Sequence, residues 1–202
     1  ILTFTYPEIG NTGINFEDSE SNISVNGIIV RNYSSNNSNW RSQKKFNNWL
    51  VEKNIIGLYG IDTRALVKIL RSYGSMNGVL TSEEKTVESC LKIINETPKM
   101  EGLNLSKEVS TNQPFLWQNH TETDFDVRKR CSEKSNKLKI VAIDFGIKKS
   151  ILNRLVSHGC EILVLPSRSS LNDVLSAKPD GIFFSNGPGD PSSVTDGIDL
   201  AR

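Results

Sequence analysis

The sequence predicts an α/β protein whose carboxyl-terminal part contains a parallel sheet. From Lys139 onward, short apolar strands alternate with segments of helical spacing, an order that produces right-handed crossovers between parallel strands. The residues before it mix short strands with amphipathic helices, and a polar stretch separates the two parts. We therefore predict a mixed α+β domain over residues 1–117, a linker over 118–137 and an α/β domain over 138–202.

The amino-terminal part begins with two predicted strands, over residues 1–6 and 27–31, separated by a loop rich in glycine and asparagine. The pattern then becomes helical near Ser42. Phe46 and Trp49 recur at helical spacing on one face, so we interpret them as core residues and not as a stacking surface.

A second helix is predicted to begin after Asp62, which is a good N-cap, and to end at Gly74 in a left-handed conformation. Basic residues recur on one side of it, and they form either a solvated face or a contact with an acidic partner surface. These residues are Arg64, Lys68 and Arg71. The opposite side is predicted to be buried, and its members are Leu66, Ile69, Leu70 and Tyr73.

A third helix is predicted after a cap at Thr81 or Ser82. Its apolar residues at helical spacing are expected to face inward, which makes Cys90 a small buried residue. They are Val87, Cys90, Leu91 and Ile94. The segment Pro114–Trp117 is predicted to be a short strand.

In the carboxyl-terminal part, the predicted strands are Lys139–Ile143, Glu161–Leu165 and Ile182–Phe184. The last is an uninterrupted apolar run, typical of a strand buried on both faces of a parallel sheet. Helices are predicted between the strands, the second of them capped by Ser169 or Ser170. The loops after the first and third strands, 144–146 and 185–191, are expected to meet at one edge of the sheet.

The loop at 185–191 is the strongest candidate for a binding site. Gly187 and Gly189 can adopt positive φ and allow a ligand to approach the main chain closely. Asp190 is a good N-cap and Pro191 a good first helical residue, so the loop lies between a strand and a helix N-terminus. Free N–H groups and the helix dipole favour negative charge there. The alternative is an ordinary strand-to-helix turn.

Composition excludes several classes. The chain of 202 residues has 24 basic and 23 acidic residues, and a net charge of +1 argues against binding to nucleic acid or to a membrane surface. No apolar run approaches the roughly 20 residues that span a bilayer, and no signal segment leads the sequence, so we expect a soluble intracellular protein. The cysteines Cys90, Cys131 and Cys160 are too scattered for a disulfide or zinc site.

Two patterns in the carboxyl-terminal part and one in the linker are misleading. Asp144, Phe145 and Gly146 spell the magnesium-binding triplet of protein kinases, but the other kinase motifs are missing from the sequence. Cys160 opens a strand and does not stand on a sharp turn between glycines, so it is interpreted as a core residue. Cys131 lies among basic residues without a base nearby and is interpreted as a bystander thiol.

The 185–191 loop resembles the glutamine-site loop of class I glutamine amidotransferases. Other segments narrow the resemblance to the small, glutamine-hydrolysing subunit of carbamoyl phosphate synthetase, because other amidotransferases lack its amino-terminal domain. These segments are 2–13, 38–41, 60–66, 105–110 and 144–148. The resemblance implies that residues 138–202 form the first half of a doubly wound, mostly parallel sheet of an amidotransferase domain.

The resemblance also implies a function. A protein of this family hydrolyses L-glutamine and delivers ammonia to a large synthetase subunit, which makes carbamoyl phosphate for pyrimidine and arginine synthesis. Gly187 and Gly189 are then glutamine-binding residues, and the Gly187 N–H is a donor to the oxyanion. The expected assembly is a heterodimer or a higher oligomer. No cofactor is expected in this chain, whereas ATP and magnesium are expected on the large subunit.

The sequence departs from the family pattern in the catalytic residues. The family's nucleophilic cysteine and its His and Glu partners would lie beyond Arg202, and neither His120 nor His158 has the context of a base. We therefore expect a fragment of a longer chain, inactive as it stands. Two alternatives stay open: a non-catalytic scaffold subunit, or the glutamine domain of another synthetase. An abundance of Asn, Ser, Ile and Lys favours a bacterial cytoplasm or a plastid stroma.

Overall fold

The computed structural model describes residues 1–20, 25–119 and 137–202 of the chain. The chain divides into two compact units, Ile1–Met100 and Glu101–Arg202. Within the described residues, no helix is both long enough and apolar enough to cross a membrane.

The first unit contains two small parallel sheets. Strand β3 lies between β1 and β5 in a three-stranded sheet, and β2 pairs with β4 in a separate ladder. The strands are β1 (Leu2–Thr3), β2 (Glu8–Ile9), β3 (Gly27–Ile29), β4 (Asn32–Tyr33) and β5 (Ile56–Leu58). The strands predicted over residues 1–6 and 27–31 are present as β1 and β3. Both are shorter than predicted, because the remaining residues of each predicted strand lie outside the regular strand.

The described residues of this unit also form three helices: α1 (Phe46–Glu52), α2 (Thr63–Tyr73) and α3 (Val87–Glu96). Phe46 and Trp49 stack with their ring centroids 6.1 Å apart, and both pack against the core. The interpretation of these aromatics as core residues is therefore confirmed. The buried residues of this core are Ile28, Val30, Leu50 and Ile55.

Helix α2 has the predicted ends. The Asp62 carboxylate accepts a hydrogen bond from the Ala65 N–H at 3.0 Å, and Gly74 has φ 82°. The predicted buried face is wrong in part, because Tyr73 is 79% exposed and Ile69 is 46% exposed. Helical spacing determines which side chains share a face, but not whether another element covers that face.

Helix α3 differs from its prediction at its start. Its N-cap is Thr86, whose hydroxyl accepts from the Ser89 N–H at 3.2 Å. Thr81 instead accepts from the Glu83 N–H at 3.0 Å in a local turn. Val87 is 70% exposed and Leu91 is 51% exposed, so the prediction that they face inward is also wrong.

In the second unit, the described residues form a four-stranded sheet in the order β6-β8-β7-β9. Strand β7 is parallel to both β8 and β9, which confirms the predicted parallel arrangement, and β6 is antiparallel to β8. The strands are β6 (Phe115–Trp117), β7 (Leu138–Asp144), β8 (Cys160–Pro166) and β9 (Gly181–Phe184).

Helices lie against both faces of this sheet. Leu152 packs with Ala142 and Val164 on one face, whereas Val174 packs with Val141 and Ile143 on the other. Alternate residues of β7 are thus buried on opposite sides, as expected for a central parallel strand. The helices are α4 (Ser106–Val109), α5 (Lys149–Ser157), α6 (Leu171–Ser176) and α7 (Thr195–Ala201), with a 3₁₀ turn at Pro191–Ser193.

Strand β9 is not buried on both faces as predicted. Ile182 is 42% exposed and Phe184 is 37% exposed, although Phe183 packs against the core on the other side. The reason is that β9 is an edge strand of the described sheet, since only β7 pairs with it. An apolar run does not distinguish an edge strand from a central one.

The predicted domain boundary at Trp117 differs from the division in the structure, which falls after Met100. Strand β6 pairs with β8, and the Trp117 indole N–H donates to Asn153 at 2.9 Å, so residues 101–119 belong to the second unit. This pairing joins strands distant in sequence and leaves no local signal. Most of the predicted linker, with His120 and Cys131, lies outside the described residues.

Candidate functional site

The 185–190 loop begins at the carboxyl end of β9, beside the end of β7. Ser185 Oγ accepts a hydrogen bond from the Phe145 N–H at 2.9 Å. Asn186 Nδ2 donates to the Gly146 carbonyl oxygen at 3.2 Å. The loops that follow the first and third strands of the α/β part therefore meet at one edge of the sheet, as predicted.

The middle of this loop presents main-chain amides that are not used internally. The Asp190 N–H donates to the Leu103 carbonyl oxygen at 3.3 Å. By contrast, neither the Gly187 N–H nor the Gly189 N–H donates to any group in the described part of the chain. Gly187 is exposed and Gly189 is half-buried. The Gly187 amide is therefore available to a ligand from solvent.

The two glycines are required for different reasons. Gly189 has φ +91°, and a Cβ placed on it would lie 2.7 Å from the Leu103 carbonyl oxygen. Gly187 does not adopt positive φ, which corrects the expectation for that residue. A Cβ on Gly187 would instead lie 2.3 Å from the Phe145 carbonyl oxygen. Packing within the protein thus accounts for both glycines, and their contact with glutamine stays a prediction.

Asp190 ends the loop and caps the 3₁₀ turn that follows. Its carboxylate accepts from the Ser192 N–H at 2.9 Å, the Ser192 hydroxyl at 2.8 Å and the Gly102 N–H at 3.1 Å. These bonds, the one from the Ser192 hydroxyl foremost, lower the pKa of Asp190. The predicted cap is confirmed, with Pro191 as the first residue of the turn.

The Asp144 carboxylate shapes the neighbouring turn. It is 6% exposed, and one of its oxygens accepts from the N–H groups of Gly146 and Ile147, each at 2.9 Å. The other accepts from the Thr111 N–H at 2.7 Å. Both oxygens thus bind main-chain amides, in agreement with the interpretation of the kinase-like triplet as misleading. No group of three or more potential metal ligands occurs in the described ranges.

Residues 101–111 contact this site, which the sequence did not predict. The Leu103 carbonyl lies against Gly189, and a Cβ on Gly146 would lie 2.9 Å from Val109 Cγ2. The sequence analysis places this segment within the predicted amino-terminal domain of residues 1–117. The resemblance at 105–110 marked it as part of the family pattern, but nothing in the sequence indicated which element it contacts.

The described cysteine and histidine of this unit lie away from the loop. Cys160 pairs with Leu138 at the amino ends of β8 and β7, whereas the 185–190 loop follows the carboxyl ends of the parallel strands. Cys160 packs against the core, as predicted, and His158 is exposed at the end of α5. Neither residue is positioned to act on a ligand at the loop.

Two family models match parts of this chain. Residues 1–80 match the family model described as the carbamoyl-phosphate synthase small chain, CPSase domain. Residues 141–202, which include the whole 185–190 loop, match the model of class-I glutamine amidotransferases. Over its whole length the chain is similar to carbamoyl phosphate synthase small chains.

Similar members of the small-chain family come from bacteria. The carbamoyl phosphate synthase small chain of Parasynechococcus marenigrum is 46% identical over 203 residues, which cover 100% of this chain and 53% of that protein. The Synechocystis small chain is 48% identical over 200 residues, covering 98% and 52%. That of Aquifex aeolicus is 43% identical over 204 residues, covering 100% and 54%. The chain thus spans about half the length of these relatives.

Proposed function

We propose that the full-length protein hydrolyses L-glutamine and supplies ammonia to a large synthetase subunit, which forms carbamoyl phosphate from bicarbonate and ATP. The observation that carries this proposal is the Gly187 N–H, which belongs to an exposed residue and donates no hydrogen bond within the described residues. The proposal also rests on the similarity of the chain to carbamoyl phosphate synthase small chains and on the match of this loop to the class-I amidotransferase model.

The chemistry gives this amide a role. Attack by a cysteine thiolate on the side-chain carboxamide of glutamine produces a tetrahedral oxyanion. A main-chain N–H already aimed at that oxygen stabilises the transition state without reorganisation, and one such donor contributes about 3 kcal/mol in other enzymes. Gly187 would supply this donor and Gly189 would bind the polar groups of the substrate. The nucleophile and its His and Glu partners are expected beyond Arg202.

The proposal is tested on the full-length chain in complex with its large subunit. Carbamoyl phosphate formation is measured once with glutamine and once with ammonium as the nitrogen source, and glutamate release is measured in parallel. We expect both nitrogen sources to support synthesis and glutamate to form only with glutamine. Residues 1–202 alone are expected to release no glutamate. A full-length complex that uses ammonium but never glutamine would contradict the proposal.

The same experiment separates the alternatives. A non-catalytic scaffold subunit would support the ammonium-dependent reaction without glutamate release. The glutamine domain of a different synthetase would release glutamate without forming carbamoyl phosphate. The match of residues 1–80 to the small-chain domain favours the proposed carbamoyl phosphate synthase function over the glutamine domain of a different synthetase.

The partner and compartment follow from the same proposal. The large subunit, assembled with this chain as a heterodimer or a higher oligomer, would bind ATP and magnesium and would serve pyrimidine and arginine synthesis. Relatives occur in cyanobacteria and in the red alga Porphyra purpurea, which supports a bacterial cytoplasm or a plastid stroma. Fractionation of the source cells would test this location.

A further inference from the structure

A short segment, residues 102–107, holds the far end of the 185–190 loop through two reciprocal hydrogen bonds. The Gly102 N–H donates to the Asp190 carboxylate at 3.1 Å, and the Asp190 N–H donates to the Leu103 carbonyl oxygen at 3.3 Å. Both the main chain and the side chain of Asp190 are therefore bound to this segment.

The side chain of Asn104 extends the contact beyond the loop. Its Nδ2 donates to the Ser193 carbonyl oxygen at 3.2 Å, and its Oδ1 accepts from the Ser106 hydroxyl at 2.6 Å. Ser106 is 1% exposed, so the group that orients the Asn104 amide is itself fixed in the interior. Asn104 thus joins a buried hydroxyl to the 3₁₀ turn that follows the loop.

A third contact reaches the first turn of α7, where Lys107 Nζ lies 3.2 Å from the Asp196 carboxylate. This ion pair is largely exposed, and we expect it to contribute little. The hydrogen bond from Asn104 to the Ser193 carbonyl oxygen is half-buried. It is made by a side chain, so a substitution at Asn104 removes it without changing the main chain.

The position of the Gly187 amide depends on these anchors. The N–H groups of Gly187 and Gly189 have no acceptor in the described part of the chain, so the loop is held at Ser185 and Asn186 on one side and at Asp190 on the other. A donor to a developing oxyanion acts only when it is held close to its ideal position. A looser anchor at Asp190 would therefore displace the donor.

We propose that Asn104 is a positioning residue for the glutamine site, acting through the 3₁₀ turn on the 185–190 loop. This inference rests on the proposed glutaminase function. Asn104 does not contact the substrate in this scheme. It sets the position of the main-chain donor, so its loss slows glutamine hydrolysis and leaves the use of ammonia intact.

The test compares Asn104→Ala with the wild type, in the full-length chain bound to its large subunit. Because misplacement by 1 Å can cost about 100-fold, we expect the partial displacement here to lower the glutamine-dependent kcat about tenfold. The ammonium-dependent rate should not change. Asn104→Asp retains the acceptor for Ser106 but loses the donor to Ser193, so it should be as slow as Asn104→Ala.

A matched control is available in the first unit. Asn77 Nδ2 also donates to a main-chain carbonyl, that of Thr97, at 2.7 Å. Asn77→Ala makes the same chemical change within the first unit and should leave the glutamine-dependent kcat unchanged. If Asn104→Ala has the wild-type kcat, or slows the glutamine and ammonium reactions equally, the positioning role is wrong.

A second readout keeps this inference separate from the proposed function. Amide hydrogen exchange at Asp190, Ser192 and Ser193, whose N–H groups are hydrogen-bonded, should be faster in Asn104→Ala than in the wild type, whether or not glutamine is hydrolysed. If the wild-type complex shows no glutaminase activity, the proposed function fails, and the exchange experiment still decides whether Asn104 orders the loop. Unchanged exchange at these amides would overturn the inference.

Discussion

Substitution of Gly187 by alanine tests the geometry of the loop directly. A Cβ at this position would lie 2.3 Å from the Phe145 carbonyl oxygen and 2.9 Å from Phe145 Cβ. Ordinary contacts begin at 3.4 Å, so the loop and the end of β7 must separate by about 1 Å. The obstructing oxygen belongs to the main chain, so no change of rotamer relieves the overlap.

Two effects of known size follow from this displacement. Overpacking of this kind lowers the free energy of unfolding by about 1–3 kcal/mol. A shift of about 1 Å at a catalytic donor lowers the rate about 100-fold, and complete loss of one oxyanion donor sets a limit of about 3 kcal/mol. We therefore expect Gly187→Ala to lower kcat/KM for glutamine about 100-fold, with a moderate loss of stability.

The assay measures glutamate release and urea unfolding on the same full-length preparations. Gly78→Ala is the matched control. Gly78 does not adopt positive φ, and the atom nearest to an added Cβ would be Ile1 Cδ1, 3.9 Å away. This substitution should change neither quantity. If Gly187→Ala has normal stability and normal activity, the packing of the loop on Phe145 is wrong. If only activity is lost, the added methyl group meets the substrate and not Phe145.

Three further predictions concern the support of the site. Leu152 is 1% exposed, so Leu152→Ala should lower the free energy of unfolding, measured in urea, by about 2–5 kcal/mol. Leu171 is 54% exposed, so Leu171→Ala is the control and should change the free energy of unfolding little. Equal effects of the two substitutions would contradict the packing of α5. Ser170 caps α6 through a reciprocal pair of hydrogen bonds with Asp173, so Ser170→Ala should cost about 1 kcal/mol by the same measurement, and no loss would contradict the cap. Hydrogen bonds, the one from the Ser192 hydroxyl foremost, lower the pKa of Asp190 in the folded protein. The ionised carboxylate therefore stabilises the fold at any pH above 3.8, its ordinary pKa, and this stabilisation is lost as the pH falls through the lower pKa of the folded state. Asp190→Asn should therefore flatten the acid side of the stability profile, and an unchanged acid profile would contradict the assignment.

Much of the second unit was predictable because its signals are local. The apolar runs of β7 and β8 and the cap at Ser170 each depend on residues close in the chain, and all three agree with the structure. Parallel order then followed from the alternation of strands and helices. The meeting of the two loops at one sheet edge is a consequence of that order, so it could be predicted as well.

Features that depend on distant contacts were not predictable in this way. The apolar side of α2 has helical spacing, yet Tyr73 remains exposed, since spacing carries no information about what covers a face. Strand β9 has the composition of a central strand but lies at the edge of the described sheet. Residues 101–119 lie in the second unit of the structure because β6 pairs with a strand that follows it by more than 40 residues.

The order of strands, helices and caps was therefore present in the local pattern of side chains, and so was the position of a glycine-rich turn after β9. Only the folded arrangement shows that Gly187 is required by the Phe145 carbonyl and that residues 102–107 hold Asp190. The physical reason is that propensity and capping act over a few neighbouring residues, whereas steric exclusion and hydrogen bonding between remote segments depend on where the whole chain places them.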